Sequence, residues 1–253
     1  MGHGENIINQ LNSPRHINKN SSNLRLCKIV KTQEFLKDFL DGKFYMSTLE
    51  ELTKIEYNQL TKGQHDDFEG IEEYLEETEV VKYYIDTSLE QPLLIQTDNN
   101  YVPKSGNLKI YSGKLGFKEN RYKNVFCMFS IWQSDNGELI KIDDRLSKDF
   151  GDFCVVIDDL SEFFERIVKG ILNSGFNYNT ISKIGFVNYI DIKNRPYTRL
   201  GVFRKRVEYI YQQEFRIVMD IKDNKKAIKY FNIGDIRDIV SVINTSDLIK
   251  LSN

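Results

Sequence analysis

Apolar and polar positions alternate through Leu24-Arg-Leu-Cys-Lys-Ile-Val30, which predicts a strand, because successive side chains of an extended chain point to opposite faces. The period then changes. After Thr32, the residues Phe35, Leu36, Phe39 and Leu40 recur at helical spacing and Gly42 closes the run, the pattern of a short amphipathic helix with a polar N-cap and a glycine stop. Lys43 to Met46 predicts a second strand, and Ser47-Thr-Leu-Glu50 reads as a capping box that opens a helix through about Tyr57.

Val125 to Trp132 (VFCMFSIW) and Asp152 to Ile157 (DFCVVI) are apolar on both faces, as the central strands of a covered sheet are. Asp158 or Asp159 then caps a helix in which Leu160, Phe163, Phe164, Ile167, Val168, Ile171 and Leu172 form one apolar stripe before Gly175. Ile184 to Ile192, Tyr209 to Ile221 and Ile239 to Ile243 predict three more strands. Strands outnumber helices without alternating regularly with them, so the expected fold class is α+β, a mixed or largely antiparallel sheet flanked by two or three helices. Residues 1–23, rich in Asn and Ser with Pro14, show neither period and predict a flexible arm. Residues 24–253 read as a single domain. Its periodicity weakens over about 58–124, where the acidic run Asp66 to Glu79 falls, and this stretch reads as an insertion or lid.

Composition narrows the function classes. The 253 residues are 40% apolar and 28% charged, which suits a soluble globular chain with an ordinary core. A net charge of −2 offers no global attraction to nucleic acid or to an anionic membrane, so any nucleic-acid contact must come from a local patch. No apolar run reaches the length of a membrane span, and MGHGENIINQ lacks the order of a signal peptide, which predicts a cytoplasmic protein without a membrane partner. Cys27, Cys127 and Cys154 lie far apart in apolar runs and predict three reduced core thiols. His65 is the one histidine beyond the arm, which argues against a structural zinc site and against a histidine-based hydrolase triad. Phosphate-cradling glycine motifs, the GxSxG elbow and HExxH are absent from the sequence. One alanine, Ala227, in a chain crowded with Ile, Lys, Asn, Asp and Tyr is the codon signature of an AT-rich genome, such as that of a low-GC bacterium or its phage.

The chemistry-bearing stretch is Phe203 to Asp220. Gln212, Glu214 and Arg216 occupy every second position, with Phe215, Ile217 and Met219 between and beyond them. The plain reading is a solvated sheet face carrying an Arg–Glu pair. The sharper one is a site where an amide, a carboxylate and a guanidinium converge on a ligand. Upstream, Arg204, Lys205 and Arg206, with Lys193, Arg195 and Arg199 and with Tyr197, Tyr209 and Tyr211 interleaved, would suit the phosphates of a nucleotide or nucleic-acid strand, against the plain reading of a lysine-rich loop. Asp66, Asp67 and Glu69 lack the liganding spacing of a calcium loop and read as a solvated helix face.

The unit LCKIV, QEFLKDFLDG and KFYMST, the later Cys127-x-Phe129-Ser130 strand and the Gln212-x-Glu-Phe-Arg-Ile-Val218 strand together resemble a family of uncharacterised bacterial and phage proteins. Asp67-Phe68-Glu69 is similar to that family's Asn-Asp-Pro-Phe-Glu element, here without the proline. The same order is distantly similar to ADP-ribosyltransferases. That resemblance implies Arg25 on the NAD pyrophosphate, with Arg216 as a second cofactor-binding residue. It further implies Ser130 orienting the catalytic carboxylate, Glu214 as that carboxylate and Gln212 positioning the acceptor. The second strand reads Phe-Ser-Ile where Ser-Thr-Ser is usual. On this resemblance the protein is an NAD-consuming transferase or glycohydrolase, with NAD as substrate, no resident cofactor and no metal. The alternative is a non-enzymatic binding protein of phage–host conflict that docks on a protein or a nucleotide. A weaker alternative is a nucleic-acid binder using Arg204, Lys205 and Arg206.

Overall fold

Eight of the strand-forming runs gather into one sheet around the longest of them. A computed structural model describes residues 24–54, 73–75, 81–86, 93–98, 108–110, 113–115, 123–134, 137–177, 180–191, 197–199, 201–220 and 229–252. In chain order these form β1 (Leu24–Val30), α1 (Gln33–Leu40), β2 (Lys43–Thr48) and α2 (Leu49–Lys54). The short strands β3 (Glu73–Leu75), β4 (Val81–Asp86), β5 (Leu93–Asp98), β6 (Leu108–Ile110) and β7 (Gly113–Leu115) follow. Next come β8 (Asn124–Trp132), α3 (Arg145–Phe150), β9 (Phe153–Ile157), α4 (Leu160–Asn173), β10 (Ile181–Phe186), β11 (Asn188–Ile190), β12 (Tyr197–Arg199) and β13 (Arg204–Arg206). A 3-10 helix over Val207–Gln212 leads into β14 (Glu214–Met219), β15 (Lys229–Asn232), β16 (Val240–Asn244) and α5 (Thr245–Leu251).

The main sheet runs β10-β14-β8-β1-β9-β16, with β2 and β15 branching from β8, and all of its pairings are antiparallel. The fold is therefore α+β with a large antiparallel sheet. Strands β1 and β2 fork along one edge of β8. β1 pairs from Cys27↔Phe129 outward and β2 pairs at Ser47↔Val125 and Thr48↔Asn124, so residues 126–128 lie in the crotch of the fork. One face packs under α4, whose Phe163, Phe164, Ile167 and Ile171 join Leu26, Met128, Phe215 and Ile217. On the other face Cys27, Phe129, Cys154 and Val156 meet Leu146 of α3 and Leu248 of α5. Cover on both faces is why β8 and β9 are largely apolar.

Helix starts follow the capping chemistry. The Thr32 hydroxyl accepts from the Phe35 amide at 3.2 Å and the Asp159 carboxylate from the Glu162 amide at 2.9 Å. The capping box stands one residue later than the Ser47–Glu50 reading. Thr48 accepts from the Glu51 amide at 3.1 Å and Glu51 accepts from the Thr48 amide at 3.2 Å, because Ser47 and Thr48 are still needed as strand residues against β8. Two predicted strands break. Ile184–Ile192 divides into β10 and β11 around Val187, whose amide turns to the Glu214 carbonyl. Among the described residues of Tyr209–Ile221 the strand runs from Glu214 to Met219, and Gln212 ends the 3-10 helix instead. The expected irregular insertion carries strands where it is described: β3 pairs with β7 and β12, and β4 with β5 and β6. The arm of residues 1–23, His65, Asp66, Asp67, Glu69, Lys193 and Arg195 lie outside the described residues. Among the described residues no helix is long and apolar enough to cross a membrane.

Candidate functional site

The polar row of β14 faces inward, which overturns the reading of a solvated sheet face. Arg216 is 0% exposed and Glu214 6%, and Gln212 and Lys205 are buried beside them. The register Glu214↔Phe129 and Arg216↔Cys127 puts both side chains on the face of β8 that carries Cys127, and the segment from Val202 to Gln213 folds back over it. Arg216 grips both oxygens of Glu214, Nε to Oε1 at 2.8 Å and Nη2 to Oε2 at 3.3 Å, and donates from Nη1 to the Val202 carbonyl. Lys205 Nζ stands 2.9 Å from Glu214 Oε2 and donates to Gln212 Oε1 at 3.0 Å. Burial pushes the Glu214 pKa up, but the charges of Arg216 and Lys205 outweigh it and hold the carboxyl well below the usual carboxylate range. Glu214 is thus ionised and engaged through both oxygens.

Supporting groups complete this cluster. The Tyr189 hydroxyl accepts from the Glu214 amide at 2.8 Å, and burial raises its phenol pKa. In the crotch between β1 and β2 the Cys127 carbonyl points away from β14, and Lys28 Nζ donates to it at 2.8 Å while lying 4.6 Å from the centre of the Phe126 ring. Burial lowers the Lys28 pKa and raises that of the Cys127 thiol to about 12. All three cysteines are free, with Cys27 and Cys154 buried. Iodoacetamide at pH 8 should therefore leave the folded protein unmodified and add three equivalents in denaturant, read by intact mass, because the thiolate is the nucleophile. Rapid labelling of the native protein would contradict the burial of Cys27 and Cys154 and the raised pKa of the Cys127 thiol.

Where β8 ends and β14 begins, a cleft of about 740 Å³ opens, lined among others by Ser130, Trp132, Phe186, Tyr189, Tyr211 and Glu214. The rings of Trp132 and Phe186 lie 5.1 Å apart at 47°. The Arg145 guanidinium sits 3.9 Å over the Tyr211 ring and is held by Asp143, Nη2 to Oδ2 at 2.7 Å. Tyr211 donates its hydroxyl to Asp149 at 2.6 Å, and burial together with that bond pushes its pKa to about 12.

Ser130 and Glu214 therefore share a cleft, but Ser130 does not touch the carboxylate. It neighbours Phe129, the partner of Glu214, so strand alternation turns its side chain to the opposite face. Its hydroxyl donates to the Gln213 carbonyl at 2.5 Å and accepts from Trp132 Nε1 at 3.1 Å. Arg25 is exposed on β1 opposite Ile131 and is not in the cleft lining, and neither are Arg216 and Gln212. The basic run is divided by the alternation of β13. Arg204 is exposed, Lys205 turns inward to Glu214, and Arg206 packs on Tyr209, with its Nη2 donating to the hydroxyl at 3.1 Å. It does not form one continuous basic face.

Cleft residues that the motif reading passed over are Trp132, Phe186, Tyr189, Arg145 and Gln213. The lone Trp at the end of a core strand was the available signal. Nothing in the sequence marked Arg145, which rides on a helix with no clear apolar stripe. Neither family models nor curated proteins nor solved structures give a match to this chain.

Proposed function

We propose that this protein binds a nucleotide-class ligand, NAD foremost, in the cleft between the end of β8 and the start of β14. One observation carries the reading: Ser130 and Glu214, far apart in the chain, line a single cleft whose walls are aromatic, Trp132 beside Phe186 and Tyr211 beneath Arg145. A volume of about 740 Å³ suits a small-molecule site. Flat rings beside an arginine offer stacking surfaces to a base or a nicotinamide. In a low-GC bacterium or its phage, such a protein would act by capturing a nucleotide.

Binding without turnover is favoured over transfer by the state of Glu214. An ADP-ribosyl transfer needs a carboxylate whose field is directed at the positive charge that develops as nicotinamide leaves. Here Arg216 and Lys205 already compensate the negative charge of Glu214. The transferase or glycohydrolase reading, supported by the resemblance of the Gln212-x-Glu214 strand, is kept as the second outcome of one experiment. Titrating NAD, ADP-ribose and ATP into the wild type and following the melting temperature should show stabilisation of about 2.7 kcal/mol at a hundredfold excess over Kd, roughly 5–10 °C. No shift with any of the three removes the proposal. Nicotinamide release that Glu214→Gln abolishes, measured at a temperature where circular dichroism shows the variant folded, would instead establish turnover.

A further inference from the structure

Gln213 is the residue, other than glycine, with positive φ among the described residues, at φ 36° and ψ 50°. The left-handed region is disfavoured for side chains with a Cβ and is accepted readily by glycine. Yet this position lies between the 3-10 helix and β14, immediately before Glu214, and in the cleft lining.

Two other cleft residues hold it there. The Gln213 carbonyl accepts from the Ser130 amide at 2.9 Å and from the Ser130 hydroxyl at 2.5 Å, and the Gln213 amide donates to the Ile210 carbonyl at 3.1 Å. Trp132 Nε1 in turn donates to the Ser130 hydroxyl at 3.1 Å. Ser130 is thus a clamp on the Gln213 backbone rather than a partner of Glu214. The neighbouring Gln212 has its carboxamide buried on Lys205, whereas Gln213 is half-exposed and its carboxamide makes no hydrogen bond among the described residues. Glycine would satisfy the backbone with less strain, so what a glutamine adds at this point is its carboxamide, and strained residues held by their surroundings concentrate at ligand sites.

We propose that Gln213 is the specificity-determining residue of the cleft, pairing its donor and acceptor with the adjacent donor–acceptor edge of a planar ring held by the aromatic walls. This rests on the nucleotide-binding reading above. A glutamine carboxamide matches the adenine N6/N7 edge bidentately, and the carboxamide of nicotinamide offers the same chemistry. Both ends of NAD therefore qualify, and analogues altered at one end or the other distinguish them.

The test is calorimetric titration of the wild type, Q213G and Q213N with three probes: NAD, its nicotinic-acid analogue and its hypoxanthine analogue. The wild type should bind NAD about tenfold more tightly than one of the two analogues, which names the end that is read. Q213G should lose about tenfold in NAD affinity together with that preference, while melting at or above the wild-type temperature because the positive φ no longer costs anything. Q213N, which keeps the carboxamide and tolerates the left-handed region, should recover part of both. If Q213G retains the wild-type affinity and preference, the assignment of Gln213 is overturned while the cleft reading stands. If the wild type binds none of the probes, both fall together.

Discussion

Replacing Glu214 with glutamine should cost about 3–5 kcal/mol of folding stability, because it leaves buried cations facing an amide in place of their counter-charge. Arg216 is wholly buried and holds the carboxylate through two contacts, and Lys205 reaches it from β13 at 2.9 Å. The carboxylate therefore ties β14 to the segment that folds back over it. The measurement is urea unfolding of the wild type and Glu214→Gln at pH 7 and again at pH 3. Because the two cations depress the Glu214 pKa on folding, the ion pair's contribution is complete above the unfolded carboxyl's value of about 4.3, falls progressively below it and is gone once the pH is under the lower folded value. The wild-type advantage over the variant should consequently shrink as the pH drops from about 5 toward 3. A stability difference below about 1 kcal/mol at pH 7, the range of exposed ion pairs, would mean that water reaches this cluster. The result also governs the turnover experiment: loss of activity in Glu214→Gln counts as chemistry only where the variant is folded.

The substitution Gly42→Ala should destabilise by about 3 kcal/mol or more, as backbone strain and steric overlap combine. Gly42 ends α1 at φ +79°, and a Cβ built there lies 1.9 Å from the Gly234 carbonyl oxygen. That oxygen belongs to a backbone docked in place, since the Ile233 amide donates to the Gly42 carbonyl at 2.9 Å and the Ile236 amide to the Leu40 carbonyl at 3.0 Å. No flexible side chain can yield. Gly175 is the matched control, with φ +82° at the end of α4 and nothing within 4 Å of the added Cβ. Gly175→Ala should cost only the conformational penalty, about 1–2 kcal/mol. Equal losses at the two positions, read as shifts in urea midpoint, would show that the turn after α1 moves freely away from Gly234.

The two glycines also mark how far a local signal reaches. Each is legible in the sequence as a helix stop, because a run of apolar residues at helical spacing followed by glycine depends on neighbours a few residues away. That one of them abuts a second backbone almost two hundred residues later is not in that pattern. The same holds for the capping box. Its residue types were recognisable, but β8 claims Ser47 and Thr48 as strand partners, and the helix starts one position later.

The candidate site shows the same division. Tyr209 to Tyr211 carry strand-favouring residues and continue the alternation of β14, yet they fold as a 3-10 helix. Gln213 reverses the chain in a left-handed conformation fixed by Ser130 from a distant strand. Arg25, Ser130 and Glu214 were expected around one ligand from their order along the chain, but β1 leaves Arg25 exposed and outside the cleft lining. Order along a sequence does not fix which end of a sheet, or which face, a side chain reaches.

By itself the sequence determined the caps of α1 and α4, the apolar stripe of α4, the two doubly covered central strands and hence the α+β class, all of which follow from local chemistry and from spacings of two and 3.6 residues that hold wherever the element is placed. It also determined that Glu214 and Arg216 share a face. Only the tertiary structure decided that this face is interior, that Lys205 joins it, and that Trp132, Phe186, Tyr211 and Arg145 wall a cleft beside it. The physical reason is that a polar row at period two looks the same in water as in a core. What distinguishes them is the segment that covers the row and the opposite charges it delivers, and those come from parts of the chain that pair only after folding.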